Sequence, residues 1–304
     1  MDAVDVLLNG FSVVKDNPKV VLAYFLLSVL SFASFAPMFL VLLSNRGTIV
    51  NITHTNSFTP GIEKLAEELI LSGIFAALLA LLVSLLIQPL VAGMIVEVGL
   101  ESASRKHVPL SSAFEKAKSR YAKLVWTNFA VSVIESLGGL AIIIFIAVMF
   151  VAGLKGPALV LLILIGVVAA IAYTLLAAIL LYLAIPAVMA ESRSGIDALK
   201  MSYNITRKDK LGILAIFIVV GIIYFFASAI IGNIMGASGS KSVTAFSTSG
   251  SIAVFAIFML LSMLIDGFVY SALLVTSGLM YMSYKNGVKK GMPKGKQIDD
   301  KKSG

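Results

Sequence analysis

The chain has 304 residues, 59% of them hydrophobic and 13% charged, and its mean hydropathy of +0.99 leaves too little polar surface for a domain dissolved in water. The formal charge of +8 comes with no cysteine and two histidines distant in sequence, His54 and His107, which argues against a disulfide framework, a thiolate nucleophile and a metal site. The opening MDAVDVLLNG carries acids where a signal peptide is basic, so the first spanning helix is expected to direct insertion.

In chain order, six apolar stretches reach the ~20 residues that cross a ~30 Å hydrocarbon core. They cover residues 20–43, 70–96, 124–152, 157–185, 211–235 and 252–282. Pro89 predicts a kink near the inner end of the second, because proline removes a ladder hydrogen bond and crowds the preceding turn. The short segment from Gly153 to Pro157 predicts an antiparallel hairpin of helices three and four.

Short amphipathic segments precede each pair of spans. Asp2-x-x-Asp5, Ser112-x-x-Glu115 and Ser194-x-x-Asp197 each place a capping side chain at a helix start with an acid three residues on. Apolar residues follow at fixed offsets: Val4, Leu7 and Phe11; Phe114, Ala117 and Tyr121; Ile196, Leu199 and Tyr203. That spacing lays one stripe on one helix face, as for a helix in the headgroup layer. The order of cap, amphipathic helix, basic turn and spanning hairpin recurs three times. The expected fold is therefore all-α, a polytopic membrane protein of six transmembrane helices as three hairpins, each preceded by a cytoplasmic amphipathic helix. Its repeats fall at about 1–100, 110–186 and 194–284, with a basic tail over 285–304. A pseudo-threefold bundle of this kind encloses a central space.

Twenty of the 24 Lys and Arg fall on one set of termini and loops and four on the other, which puts both termini in the cytoplasm by the positive-inside rule. Within the basic set, Lys118, Arg120, Lys123, Arg207, Lys208 and Lys210 are candidate contacts for anionic lipid headgroups, and the charge reads as topology instead of nucleic-acid binding. Between spans, Asn51-Ile52-Thr53 matches a glycosylation acceptor, equally a chance match. Residues 237–250 are rich in Gly, Ser and Thr and read as a flexible loop. The tail beyond Tyr284 reads as disordered.

Pro186, Glu191, Gly195, Ala198, Leu199 and Ser202, followed by Lys208 and Lys210 before an apolar helix, resemble the motif of the membrane domain associated with glycerophosphodiester phosphodiesterases and of its stand-alone relatives. In those enzymes catalysis belongs to a separate soluble barrel, for which the residues after the sixth span leave no room. The resemblance therefore implies a membrane domain without the phosphodiesterase activity.

No phosphate loop, nucleophile elbow or metalloprotease motif occurs, so neither an enzyme nor a cofactor is expected. Two acids stand inside the predicted spans, Glu135 and Asp266, where a carboxylate costs about 2.5–3.5 kcal/mol unless paired, protonated or wet. Asn128, Ser132 and Glu135 share one helix face, as do Ser262, Asp266 and Tyr270. No Lys or Arg lies deep in a span, so a buried salt bridge is hard to build. Each acid is then either a protonated interhelical contact or part of a polar site for a proton or cation. Two classes follow: a protein that binds or transports a small solute, ion or lipid, or a non-transporting scaffold that engages lipids or a protein subunit.

Overall fold

Inside hydrocarbon every backbone N–H and C=O needs a partner within the protein, and a helix supplies it locally. A computed structural model describes residues 3–45, 62–104, 107–151, 153, 157–239 and 249–291, and among them every regular element is a helix. In order these are α1 (Ala3–Asp16), α2 (Lys19–Ala33), α3 (Ala36–Ser44), α4 (Ile62–Leu82), a π-helical turn (Val83–Ile87) and α5 (Gln88–Ser102). Then come α6 (Leu110–Ser119), α7 (Tyr121–Val151), α8 (Pro157–Leu181), α9 (Ala184–Glu191), α10 (Ile196–Thr206), α11 (Lys210–Gly239) and α12 (Ser249–Gly291).

Among the described residues, five continuous helical stretches are long and apolar enough to cross a membrane, or six if the α2–α3 pair, bent by 45°, is one span. The most apolar window of each stretch is only 6–28% buried, an apolar surface far larger than a protein leaves in water. This is the form of a multi-pass membrane protein. Pro37 at the start of α3 accounts for the bend, since it has no N–H to continue the ladder.

The core lies at one end. Residues 92–100 of α5 are buried on every side, with α12, α6 and α9 packed around them. α5 and α12 touch backbone to backbone. A Cβ on Gly99 would stand 2.4 Å from the Val275 carbonyl oxygen, and one on Gly278 would stand 2.7 Å from that of Val96. Small residues permit this approach, which is how helices associate where lipid gives no hydrophobic drive. The opposite end is looser: α7 and α8 pack on each other and expose Ile143, Ile144, Leu164 and Val168. Gly153, at φ +71°, lies between them in a conformation that costs glycine nothing.

The short helices divide their apolar residues between two faces. In α6 Ala113 and Ala117 are buried and Phe114 is exposed; in α10 Ala198, Ser202 and Thr206 are buried and Ile196 and Tyr203 exposed. α1 buries Val6, Leu7, Gly10 and Val14 and exposes Val4. The single stripe expected from the sequence is thus split: α6 and α10 turn small residues to the protein and larger ones outward, whereas α1 buries Leu7 and exposes Val4. The cap boxes are corrected too. α6 begins two residues before Ser112, whose hydroxyl donates to the Pro109 carbonyl at 2.8 Å. The residue capping α10 is Gly195, not Ser194. Asp2 and the sequon Asn51-Ile52-Thr53 lie outside the described residues.

Two further expectations are corrected. Residues 237–239 and 249–250, read as loop, are helical. α12 continues past Tyr284 to Gly291, since extending a formed helix is cheap and Tyr284 and Lys285 are held, by Asp209 at 2.5 Å and Glu191 at 3.6 Å. A buried ion pair does exist. Glu97, fully buried on α5, is met by the Lys116 ammonium of α6, because α6 folds back onto α5 and brings a cation from outside the span.

Two predictions follow from these contacts. Gly99→Ala should lower stability by about 1–3 kcal/mol, the range for overpacking, whereas Gly139→Ala, with nothing within 4 Å of its Cβ, should leave the melting temperature in detergent unchanged or raised. Lys116→Met should cost about 3 kcal/mol by stranding the Glu97 carboxylate, with much of the loss recovered when Glu97→Leu is added.

Candidate functional site

Pro89 sets the local geometry from which the site is built. The Gln88 N–H donates to the Val83 carbonyl, a step of five residues instead of four, which marks the π-turn. By the same step Ser84 would be served by residue 89, a proline with no N–H. Its carbonyl instead accepts from the Asn128 carboxamide nitrogen on α7 at 3.3 Å. The Ser84 hydroxyl donates to Gln88 Oε1 at 3.1 Å, which anchors that side chain beside a pocket of about 410 Å³.

The pocket is walled by Tyr24, Ser28 and Ser31 of α2, by Gln88, and by Asp266 and Tyr270 of α12, with Leu27 and Met263 completing it. α2 and α12 lie close because Gly267 has no side chain: a Cβ there would stand 3.1 Å from the Val21 carbonyl oxygen. Ser271 ties the pair further by donating to the Val20 carbonyl at 3.1 Å. The Tyr24 and Tyr270 rings stack with centroids 5.3 Å apart and planes 8° from parallel. Tyr224 of α11 lies beside the Asp266 carboxylate. Asp266 Oδ1 is buried with no hydrogen-bond partner among the described residues. Such an atom is costly in a low-dielectric site, and a group in this state calls for an explanation.

Of the residues singled out by sequence, Asp266 and Tyr270 line the pocket, and Asn128 reaches it through Ser84 and Gln88. Ser262 lies one turn from Asp266, half-buried and not in the lining. Ser132 and Glu135 are half-buried on α7. Near them Gly138 packs on Tyr173 of α8, whose hydroxyl donates to the Ile134 carbonyl at 3.0 Å. No contact among the described residues joins Glu135 to Asp266, so the two acids form no common site. Tyr24, Ser28 and Ser31 were missed, although their spacing of four and three on α2 is the signal that picked out Asn128, Ser132 and Glu135. Gln88 and Tyr224 carry no comparable signal in the sequence.

The basic residues divide. Arg120 donates to the carbonyls of Val188, at 2.9 Å, and of Met189 near the end of α9, and Lys123 donates to the Ser192 carbonyl and hydroxyl, each at 2.8 Å. Both close the carboxyl end of that helix, where cations are favoured. Lys118, Lys208 and Lys210 are exposed, and Arg207 lies 5.8 Å from the Tyr203 ring centroid.

The motif that starts at Pro186 holds a helix junction together. α8 stops at Leu181, and Pro186 sits inside α9 instead of ending the span, as proline is tolerated in a first helical turn. The Ser202 hydroxyl donates to the Leu180 carbonyl at 2.8 Å and accepts from the Leu183 N–H at 3.1 Å, serving groups the break leaves open. Gly195, at φ +51°, packs against Trp126, where a Cβ would lie 2.4 Å from Nε1. Glu191 accepts from the Tyr281 hydroxyl at 2.8 Å and from Arg193 at 3.1 Å.

A family model described as a domain of unknown function, DUF7847, matches residues 1–278. The chain belongs to that family. No curated protein and no solved structure matches it. The DUF7847 match carries no link to the membrane domain of glycerophosphodiester phosphodiesterases.

Asn128→Ala should lower stability by about 1–3 kcal/mol, because the Ser84 carbonyl then stays unpaired in the bundle. Ser132→Ala, one turn on and without a described partner, should shift the melting temperature little, and the pair of melting curves checks the assignment.

Proposed function

We propose that this DUF7847 protein binds or transports a small solute, ion or lipid in the pocket between α2, the π-turn and α12. The observation that carries this reading is Asp266, whose Oδ1 has no partner among the described residues on the wall of a 410 Å³ pocket. Leaving a buried acceptor without a partner costs of the order of 1–3 kcal/mol; Glu97 Oε2 is in the same state, but of the two acids only Asp266 lines the pocket. Pockets of this size suit small ligands, and six polar side chains against Leu27 and Met263 would fix a ligand's orientation. The proposal is of binding and not of catalysis. It also places the chain in the cell membrane with both termini cytoplasmic, from the distribution of Lys and Arg.

The three short helices are proposed to lie at the cytoplasmic interface, each ahead of a spanning hairpin, with Phe114, Ile196 and Tyr203 toward lipid and Lys118, Lys208 and Lys210 toward anionic headgroups. The same exposed residues favour the second reading, a scaffold that engages lipids or a protein subunit through that face. The likeness of residues 186–210 to the phosphodiesterase-associated membrane domain is read as a shared helix junction without shared phosphodiester chemistry.

The absence of native cysteine allows a clean test. In nanodiscs, Ser28→Cys should react with a small water-soluble methanethiosulfonate, whereas Leu26→Cys, on the exposed apolar face of α2, should stay unreacted. An unreactive Ser28→Cys would mean a pocket closed to water and would move the scaffold reading ahead.

A further inference from the structure

We propose that the ligand of this pocket is a small organic cation, an ammonium compound carrying alkyl groups. This rests on the reading of the pocket as a binding site and names the class of ligand it takes.

Charge comes first. Asp266 contributes the sole formal charge of the lining, with no Lys, Arg or His among the lining residues, so the site attracts cations and repels anions. The acceptors around it agree. The Ser28 hydroxyl donates its proton to the Tyr24 carbonyl at 3.1 Å, which leaves its lone pairs as the remaining hydrogen-bonding capacity, and the Asp266 carboxylate stands in the same lining.

Size and wall chemistry then separate an organic cation from a bare ion. The volume of about 410 Å³ is more than ten times the ~30 Å³ share of one water. A calcium ion takes six to eight oxygen ligands and a magnesium ion a tight octahedron, and although the lining has enough oxygens, its single carboxylate balances only half the charge of either ion. The stacked Tyr24 and Tyr270 rings and the apolar Leu27 and Met263 would be idle around a metal ion. Around an alkylammonium they have a use: aromatic faces attract the diffuse charge, and the apolar side chains cover its carbon groups. The neighbouring helix adds Tyr224 beside the Asp266 carboxylate.

The test uses the full chain with Ser28→Cys in nanodiscs and two thiol reagents of similar size, the cationic 2-(trimethylammonium)ethyl and the anionic 2-sulfonatoethyl methanethiosulfonate. Each rate is normalised to that of a free thiol in solution. The cationic reagent should be favoured about tenfold or more, as expected for one unit charge acting at short range in a site drier than water. Tetramethylammonium should slow the labelling, and neopentyl alcohol, a neutral molecule of similar shape, should not. Asp266→Asn in the same background should erase the preference, and the ratio with Asp266 intact stands as a test if that variant fails to fold. Equal rates, or protection by neopentyl alcohol as strong as by tetramethylammonium, would overturn the ligand class while leaving the pocket as a site for a neutral solute. A thiol that reacts with neither reagent would overturn both readings.

Discussion

The structure depends on one constraint: in hydrocarbon a backbone carbonyl without a partner must find one on a side chain. Two breaks in the spanning helices, both near prolines, raise that demand. At Pro89 the ladder shifts into a π-turn, and the carbonyl left over at Ser84 is taken by Asn128 of another helix. Before Pro186 the helix stops at Leu181, and the Leu180 carbonyl is taken by Ser202 and Thr206 of α10. These polar residues knit successive helices together, so the places where the ladder fails are also the places where the bundle is joined. At the first of them the same adjustment anchors Gln88 on the wall of a pocket.

Packing then decides where a pocket forms. Toward the basic end α5, α12, α1 and α9 interlock through glycine contacts, and the Glu97–Lys116 pair holds α6 to α5. Toward the other end the helices expose most of their apolar surface. The pocket lies where one regime gives way to the other: α5 is buried throughout from Ala92 onward, and α12 nearly so from Val269, and Gln88 and Asp266 stand within a turn of those points. Asp266 stands at that boundary as the one charged residue of the pocket lining.

Much of the architecture was legible in the sequence, because apolar length and charge distribution are properties of short stretches. Five of the six expected spans lie on stretches long and apolar enough to cross a membrane, the first lies on the bent α2–α3 pair, and Pro89 does disturb the second. What sequence periodicity could not assign was the side of each short helix that meets protein. Ala113 and Phe114 are neighbours in sequence yet lie on opposite faces, and the deciding factor is the close approach of α6 to α5, a long-range contact. The Glu97–Lys116 pair was missed for the same reason, since its two members come from helices that only tertiary packing brings together. At the site, Asp266 and Tyr270 were found because a charge inside an apolar run is conspicuous. Glu135 was just as conspicuous but faces a different environment, on α7 near its contact with α8. Tyr24, Ser28 and Ser31 lay on a polar stripe that periodicity could have revealed, whereas Gln88 and Tyr224 owe their places to the π-turn and to the packing of α11.

The central claim is that Asp266 marks a site occupied by a small molecule, and native mass spectrometry of the full chain released from mild detergent tests it most directly, because one spectrum gives subunit count and retained mass together. The account predicts a stoichiometric small molecule on the wild-type chain that is lost from Asp266→Asn and kept by Glu135→Gln. A chain that carries a second protein, or assembles with itself and retains no ligand, would contradict it.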